Sequence, residues 1–120
     1  MTKPFGRFIE HEGIDEVILC EAILRAGKGL IDADLGGGVI KQRVARKGQG
    51  KSGGYRTIIF FRRGIRAFFV YGFAKSEQDN ISRNELKAFR RLAQEMLALD
   101  DLALTRAMRN GTITEITCHG

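Results

Sequence analysis

Between Asp34 and Glu77 the sequence holds no acidic residue. Histidine is nearly missing too. His11 and His119 stand at opposite ends, so residues 12–118 offer no histidine for a Ser/His/Asp triad, and the pair lacks the spacing of metal ligands. No metal and no cofactor is expected. Cysteine occurs twice, too rarely for a disulfide framework. Cys20 falls inside the apolar helical run VILCEAIL and reads as a buried small hydrophobe, while Cys118, near the end, reads as exposed. Two free thiols fit a reducing, cytoplasmic compartment. No apolar run reaches the ~18 residues of a membrane span. No signal-peptide core follows the N-terminus. The expectation is a soluble protein without membrane contact.

What is present is a concentration of positive charge. Lys41 to Lys75 carries ten Lys and Arg and no acid, in a chain whose net charge is +6. The rest of the chain sums to −4 (10 − 14). The same segment holds the strongest β-forming runs. A sheet with a concentrated positive field is a surface for a polyanion, and nucleic acid is the leading candidate. At 120 residues and 43% apolar content, one domain spanning 1–120 with a single real core is expected.

Periodicity predicts the elements in order. Residues 2–12 read as a short helix, with Thr2 as cap, Pro4 in the first turn, and Phe5, Phe8 and Ile9 on one face before Gly13. A second helix is predicted from Asp15 to Ala26, ended by Gly27. Residues 27–38 read as a connector closing in three glycines. Three strands follow, over Val39–Arg46, Tyr55–Arg62 and Ile65–Phe73. A basic loop (47–54) and the Arg63-Gly64 turn join them. Alternation puts Tyr55, Thr57, Ile59 and Phe61 on one face of the second strand and Arg56, Ile58, Phe60 and Arg62 on the other. In the third it sets Ile65, Ala67, Phe69, Tyr71 and Phe73 against Arg66, Phe68 and Val70. Both faces are apolar in mid-strand, so the sheet is covered on both sides. The basic cleft must then lie at a rim or on an uncovered patch. Ser82 to Glu85 is a capping box opening a helix to about Leu99. A helix over Asp101–Arg109 and a short strand over Thr112–Ile116 complete the chain.

GQGKSGG (48–54) invites a nucleotide reading, but a Walker A loop needs glycine where Ala45 stands, and it leads into a helix rather than a strand. Its backbone NH groups and Lys51 instead suit a phosphate-reaching loop. Lys41, Arg43 and Arg56 are placed to converge on a phosphate from neighbouring strands, and Arg supplies a fork that Lys lacks. Arg62, Arg63 and Arg66 flank a hairpin tip and read first as protective edge charges.

The stretch from Asp32 through GKSGGYR (50–56) and FVYGFAK (69–75) to NIS (80–82) resembles the RelE/ParE superfamily of type II toxin–antitoxin toxins, nearest the RelE/HigB-like branch. The resemblance covers about residues 13 to 116. It implies an α+β fold: a mainly antiparallel sheet of about three to four strands, with two N-terminal helices and C-terminal helices. It implies a metal-independent endoribonuclease that cuts mRNA on the ribosome, inhibiting translation. The nucleophile would be the 2′-hydroxyl beside the scissile phosphate, aided by electrostatic stabilisation and acid–base groups. It also implies a cognate antitoxin and a toxin–antitoxin hetero-oligomer. Carried over by position, Arg56, Lys75, Lys41 and Arg43 are the catalytic set. Arg46, Lys47, Lys51, Arg62 and Glu77 are the RNA-contacting set. The chain departs from the pattern at Ser76, where an arginine is usual, and at 80–83, where a tyrosine or histidine is usual. That leaves the acid–base role to Lys41 or Lys75, with Glu77 and Tyr71 as weaker candidates. A ParE-like gyrase inhibitor and a non-catalytic RNA-binding module are the alternatives. The antitoxin segment should be acidic and helical, laid over the basic cleft or in an apolar groove.

Overall fold

The computed structural model describes residues 1–46, 50–76, 78 and 80–118, with side chains at 46 and 50–53 outside that description. Two helices, α1 (Lys3–Glu12) and α2 (Glu16–Gly27), precede four strands, β1 (Ala33–Gly36), β2 (Val39–Arg46), β3 (Gly50–Arg62) and β4 (Arg66–Ala74). Two further helices follow, α3 (Arg83–Leu97) and α4 (Asp101–Arg109). The fold is α+β. The strands form one antiparallel meander in the order β1-β2-β3-β4.

The helix starts follow from their caps. Thr2 Oγ1 accepts from Phe5 N, Asp15 from Val17 N, and Asp100 from Ala103 N. At α3 the capping box is complete, with Ser82 Oγ accepting from Glu85 N at 3.0 Å and Glu85 Oε1 from Ser82 N at 2.8 Å. Each face of the sheet has its own apolar layer. Phe5, Leu19 and Ala22 of α1 and α2 pack on Ile40, Val44, Tyr55, Ile59 and Phe69. On the other face Ala93 and Leu97 of α3 pack on Val39, Ile58, Phe60 and Phe68. The predicted two-sided cover is therefore present.

Four expectations are corrected. The connector contains an edge strand, β1, which pairs with β2 through Ala33–Lys41 and Asp34–Ile40. The second strand begins at Gly50 rather than Tyr55, which shortens the basic loop. The last strand shrinks to one bridge, Ile113 with Thr2. Cys20 and Cys118 are joined as a disulfide, their Cα atoms 5.5 Å apart, so neither is a free thiol. The reading of a reducing compartment loses that support. Among the described residues no helix is long and apolar enough to cross a membrane. The bond closes a loop of 98 residues. Reduction is expected to lower unfolding free energy by about 2 kcal/mol or more, read as a drop in thermal midpoint with reductant.

Strand parity is also broken, by one residue. Ile58 pairs with Tyr71 but Ile59 pairs with Phe69, so Val70 is extra. A bulge reverses the facing of everything beyond it. Tyr71 and Phe73 therefore lie on the α3 face, not with Ala67 and Phe69. The bulge also brings Gly72 under α1, where a Cβ would lie 2.7 Å from Phe8 Cδ2, inside the ring's van der Waals surface. Gly72→Ala should cost about 1–3 kcal/mol by overpacking, measurable by urea unfolding.

Candidate nucleic-acid interface

The odd positions of β2 face α3, and α3 does not cover them all. Val39 packs in one cluster with Leu97 and Ala93, whereas Lys41 is half-buried and Arg43 is exposed. Lys41 sits in register with Ile58 and, across β3, Tyr71. One row further, Arg43 sits opposite Arg56, which pairs with Phe73. Lys75 is an exposed turn residue just past the last β4 pair, Tyr55–Ala74, at this same end of the sheet. The structure thus brings Lys41, Arg43 and Arg56 onto one face, with Lys75 beside them.

Arg56 is the unusual member. Like charges directly opposite in a sheet repel, and Arg43 faces Arg56 with no acid between them. Arg56 is also only 7% exposed, and its Nη1 is buried without a hydrogen-bond partner. Among the described residues no acid forms an ion pair with Lys41, Arg43, Arg56 or Lys75. A buried guanidinium without a counter-charge is costly unless a ligand supplies one.

The loop after β4 supports the cluster. The Tyr71 hydroxyl donates to Gln78 Oε1 at 3.0 Å, Gln78 Nε2 donates to the Asn80 carbonyl at 2.8 Å, and Lys41 Nζ donates to Asn80 Oδ1 at 3.4 Å. Tyr71 is itself held between Phe73 and Phe89, with ring centroids 5.8 and 5.7 Å away. The bulge puts Tyr71 in this network, and no pattern in the sequence signals a bulge. Gln78 and Asn80 are not among the sequence-derived site residues, because a run of polar residues at a strand exit is shared by ordinary loops. From below, Asp32 Oδ2 accepts from Arg43 N at 2.5 Å, and Arg25 Nη2 donates to the Arg43 carbonyl at 2.6 Å.

The remaining sequence candidates divide. Lys47 and Glu77 lie outside the described residues, and the side chains of Arg46 and Lys51 do as well. Arg62 is at the opposite end of β3 and is not brought to the cluster. Of its neighbours, Arg66 Nη1 donates to the Leu99 carbonyl at 2.7 Å, closing the end of α3, and Arg63 Nε donates to the Gly27 carbonyl at 2.9 Å. Both are structural contacts rather than free edge charges. No group of three or more His, Cys, Asp and Glu suited to a metal occurs among the described residues. Away from the cluster, an apolar groove of about 370 Å³ runs between β4, α4 and the C-terminal segment, past Phe68, Leu104, Met108 and Ile113.

The sequence model for the RelE toxin of the RelE/RelB toxin–antitoxin system matches residues 1–116. The chain belongs to the RelE toxin family. No curated protein and no solved structure matches it significantly. Membership makes this RelE-family chain a toxin-family member of a toxin–antitoxin system, with an antitoxin as its implied partner. The four-stranded antiparallel sheet with paired helices at each end is consistent with a RelE-like fold.

Proposed function

We propose that this RelE-family toxin is a ribosome-dependent mRNA endonuclease that arrests translation. The observation that carries the reading is Arg56, nine-tenths buried with Nη1 unpaired at the open end of a basic face. A scissile phosphate supplies the missing acceptor and the missing negative charge. The substrate 2′-oxygen attacks phosphorus and the bond to the 5′-oxygen breaks. The products are a 2′,3′-cyclic phosphate and a 5′-hydroxyl. Negative charge gathers on the non-bridging oxygens as the five-coordinate state forms, and Arg56 donates there. Lys41, held by Asn80, and Lys75 are the groups that carry protons from the 2′-hydroxyl and to the leaving oxygen. Arg43, exposed beside them, orients the neighbouring backbone. DNA lacks the nucleophile, so the activity is confined to RNA.

The cognate antitoxin silences the toxin by covering this basic face or by occupying the apolar groove. Primer extension on an mRNA in a purified translation system tests the proposal. Cuts are expected with ribosomes and not without them, and they should persist with chelator. Intact message with accumulating cleaved DNA–gyrase complexes would instead identify a gyrase inhibitor. Salt-sensitive RNA binding without any cut would identify a binding module.

A further inference from the structure

The three glycines at 36–38 are not simple linker. Each has positive φ, at 81°, 64° and 83°. Their lack of side chains lets α3 lie against the β1–β2 turn. A Cβ on Gly38 would come within 2.6 Å of Leu97 Cδ1, and one on Gly37 within 3.2 Å of Arg90 Cγ. Arg90 lies over this turn and donates through Nε and Nη2 to the Leu35 carbonyl, which fixes its guanidinium in place. Beside it opens a groove of about 650 Å³ lined by Arg62, Arg90, Arg91 and Gln94, with no acid among the lining residues. Arg62 and Arg91 are exposed, and among the described residues their side chains make no hydrogen bond or ion pair. Glu95 follows Arg91 by one turn but forms no ion pair with it.

Basic side chains continue from the groove along α3. Arg83, Lys87, Arg90 and Arg91 recur at helical spacing and are all exposed, so they form a basic ridge along α3. Arg62 is six residues from Arg56 on β3, about 20 Å away at ~3.3 Å per residue.

We propose that Arg62, Arg90 and Arg91 form a second phosphate-binding groove, joined to the Arg56 site by the Arg83–Lys87 ridge, that grips the backbone of the RNA. This rests on the RNA reading of the Arg56 site but not on cleavage there. A preset guanidinium flanked by two unpaired ones suits a phosphate chain, because Arg matches phosphate oxygens through its planar fork. Interactions of this kind set position and affinity rather than sequence preference.

The test is fluorescence anisotropy with a labelled 2′-O-methyl oligoribonucleotide, which cannot be cut by its own 2′-oxygen, over a salt series. The variant is Arg62→Gln/Arg91→Gln, since neither side chain holds the fold. The charge control is Arg106→Gln/Arg109→Gln on α4. The groove variant should bind more weakly. Its slope of log K against log salt should be shallower by about 1.4, since each phosphate of a single strand that is no longer neutralised removes about 0.7, with a clearly smaller change in the control. Equal changes in both variants would mean only a general field and would overturn the proposal. So would unchanged RNA binding, including the case in which the groove variant loses antitoxin affinity instead. A protein that shows the specific loss but never cuts mRNA keeps the groove and loses the nuclease reading.

Discussion

Arg56→Ala is expected to lower the single-turnover rate of mRNA cleavage by about 10²–10³-fold and to abolish growth arrest on induction, with the fold intact. The size follows from what Arg56 lacks. Its Nη1 has no partner in the protein, so its removal breaks no hydrogen bond made by that atom. The residue is buried opposite Arg43, so deleting one of two facing cations relieves repulsion and offsets part of the lost packing. Stability should change little while activity collapses. Arg56→Lys keeps the charge but not the fork, and should recover only part of the rate. Undiminished arrest by a well-expressed Arg56→Ala protein would remove Arg56 from the phosphate.

The opposite pattern is expected at Gln42, where the loss falls on stability. Gln42 is fully buried between Lys41 and Arg43. Its Oε1 accepts from Asp32 N at 3.0 Å, and its Nε2 donates to the Ala22 carbonyl at 3.1 Å and the Leu30 carbonyl at 3.0 Å. One side chain thus ties α2, the segment entering β1, and β2. Gln42→Leu keeps much of the volume but leaves Asp32 N and the Leu30 carbonyl without this partner, while the Ala22 carbonyl keeps its place in the α2 ladder. At about 1–3 kcal/mol for each of the two groups left unpaired, the loss should be at least about 2 kcal/mol, seen as a lower urea midpoint. Because Asp32 then loses its anchor near Arg43, activity should fall as well, but by less than in Arg56→Ala. A midpoint unchanged by Gln42→Leu would show that those groups find other partners.

These two residues mark what the sequence could and could not say. Arg56 was legible as a site residue, because it stands in GYR inside an acid-free basic segment and alternation put it on the face of Ile58 and Phe60. Its burial and its unpaired nitrogen were not legible, since both depend on which strands flank it. Gln42 carried no signal at all; a glutamine in a basic strand reads as a surface residue until α2 is laid over it. The helices were readable because their caps are local: Thr2, Asp15 and the Ser82–Glu85 box each act within three residues. β1 was hidden because Ala33, Asp34 and Gly36 are poor strand formers, held extended by β2 and not by propensity. The facing of Tyr71 was misread because a bulge at Val70 is a backbone event that alternation cannot register. The disulfide joins residues 98 apart, and only the tertiary fold brings them together.

The most direct test of the central claim replaces one atom of the substrate. A message is prepared with a single 2′-deoxynucleotide on the 5′ side of the mapped cut and offered to the wild-type toxin on ribosomes beside the all-ribose message. Attack by the 2′-oxygen on a phosphate held by Arg56 predicts that the ribose message is cut there, leaving a 2′,3′-cyclic phosphate, while the deoxy message stays whole at that position. A cut at the deoxy position would mean that water or another group is the nucleophile, and would contradict the account.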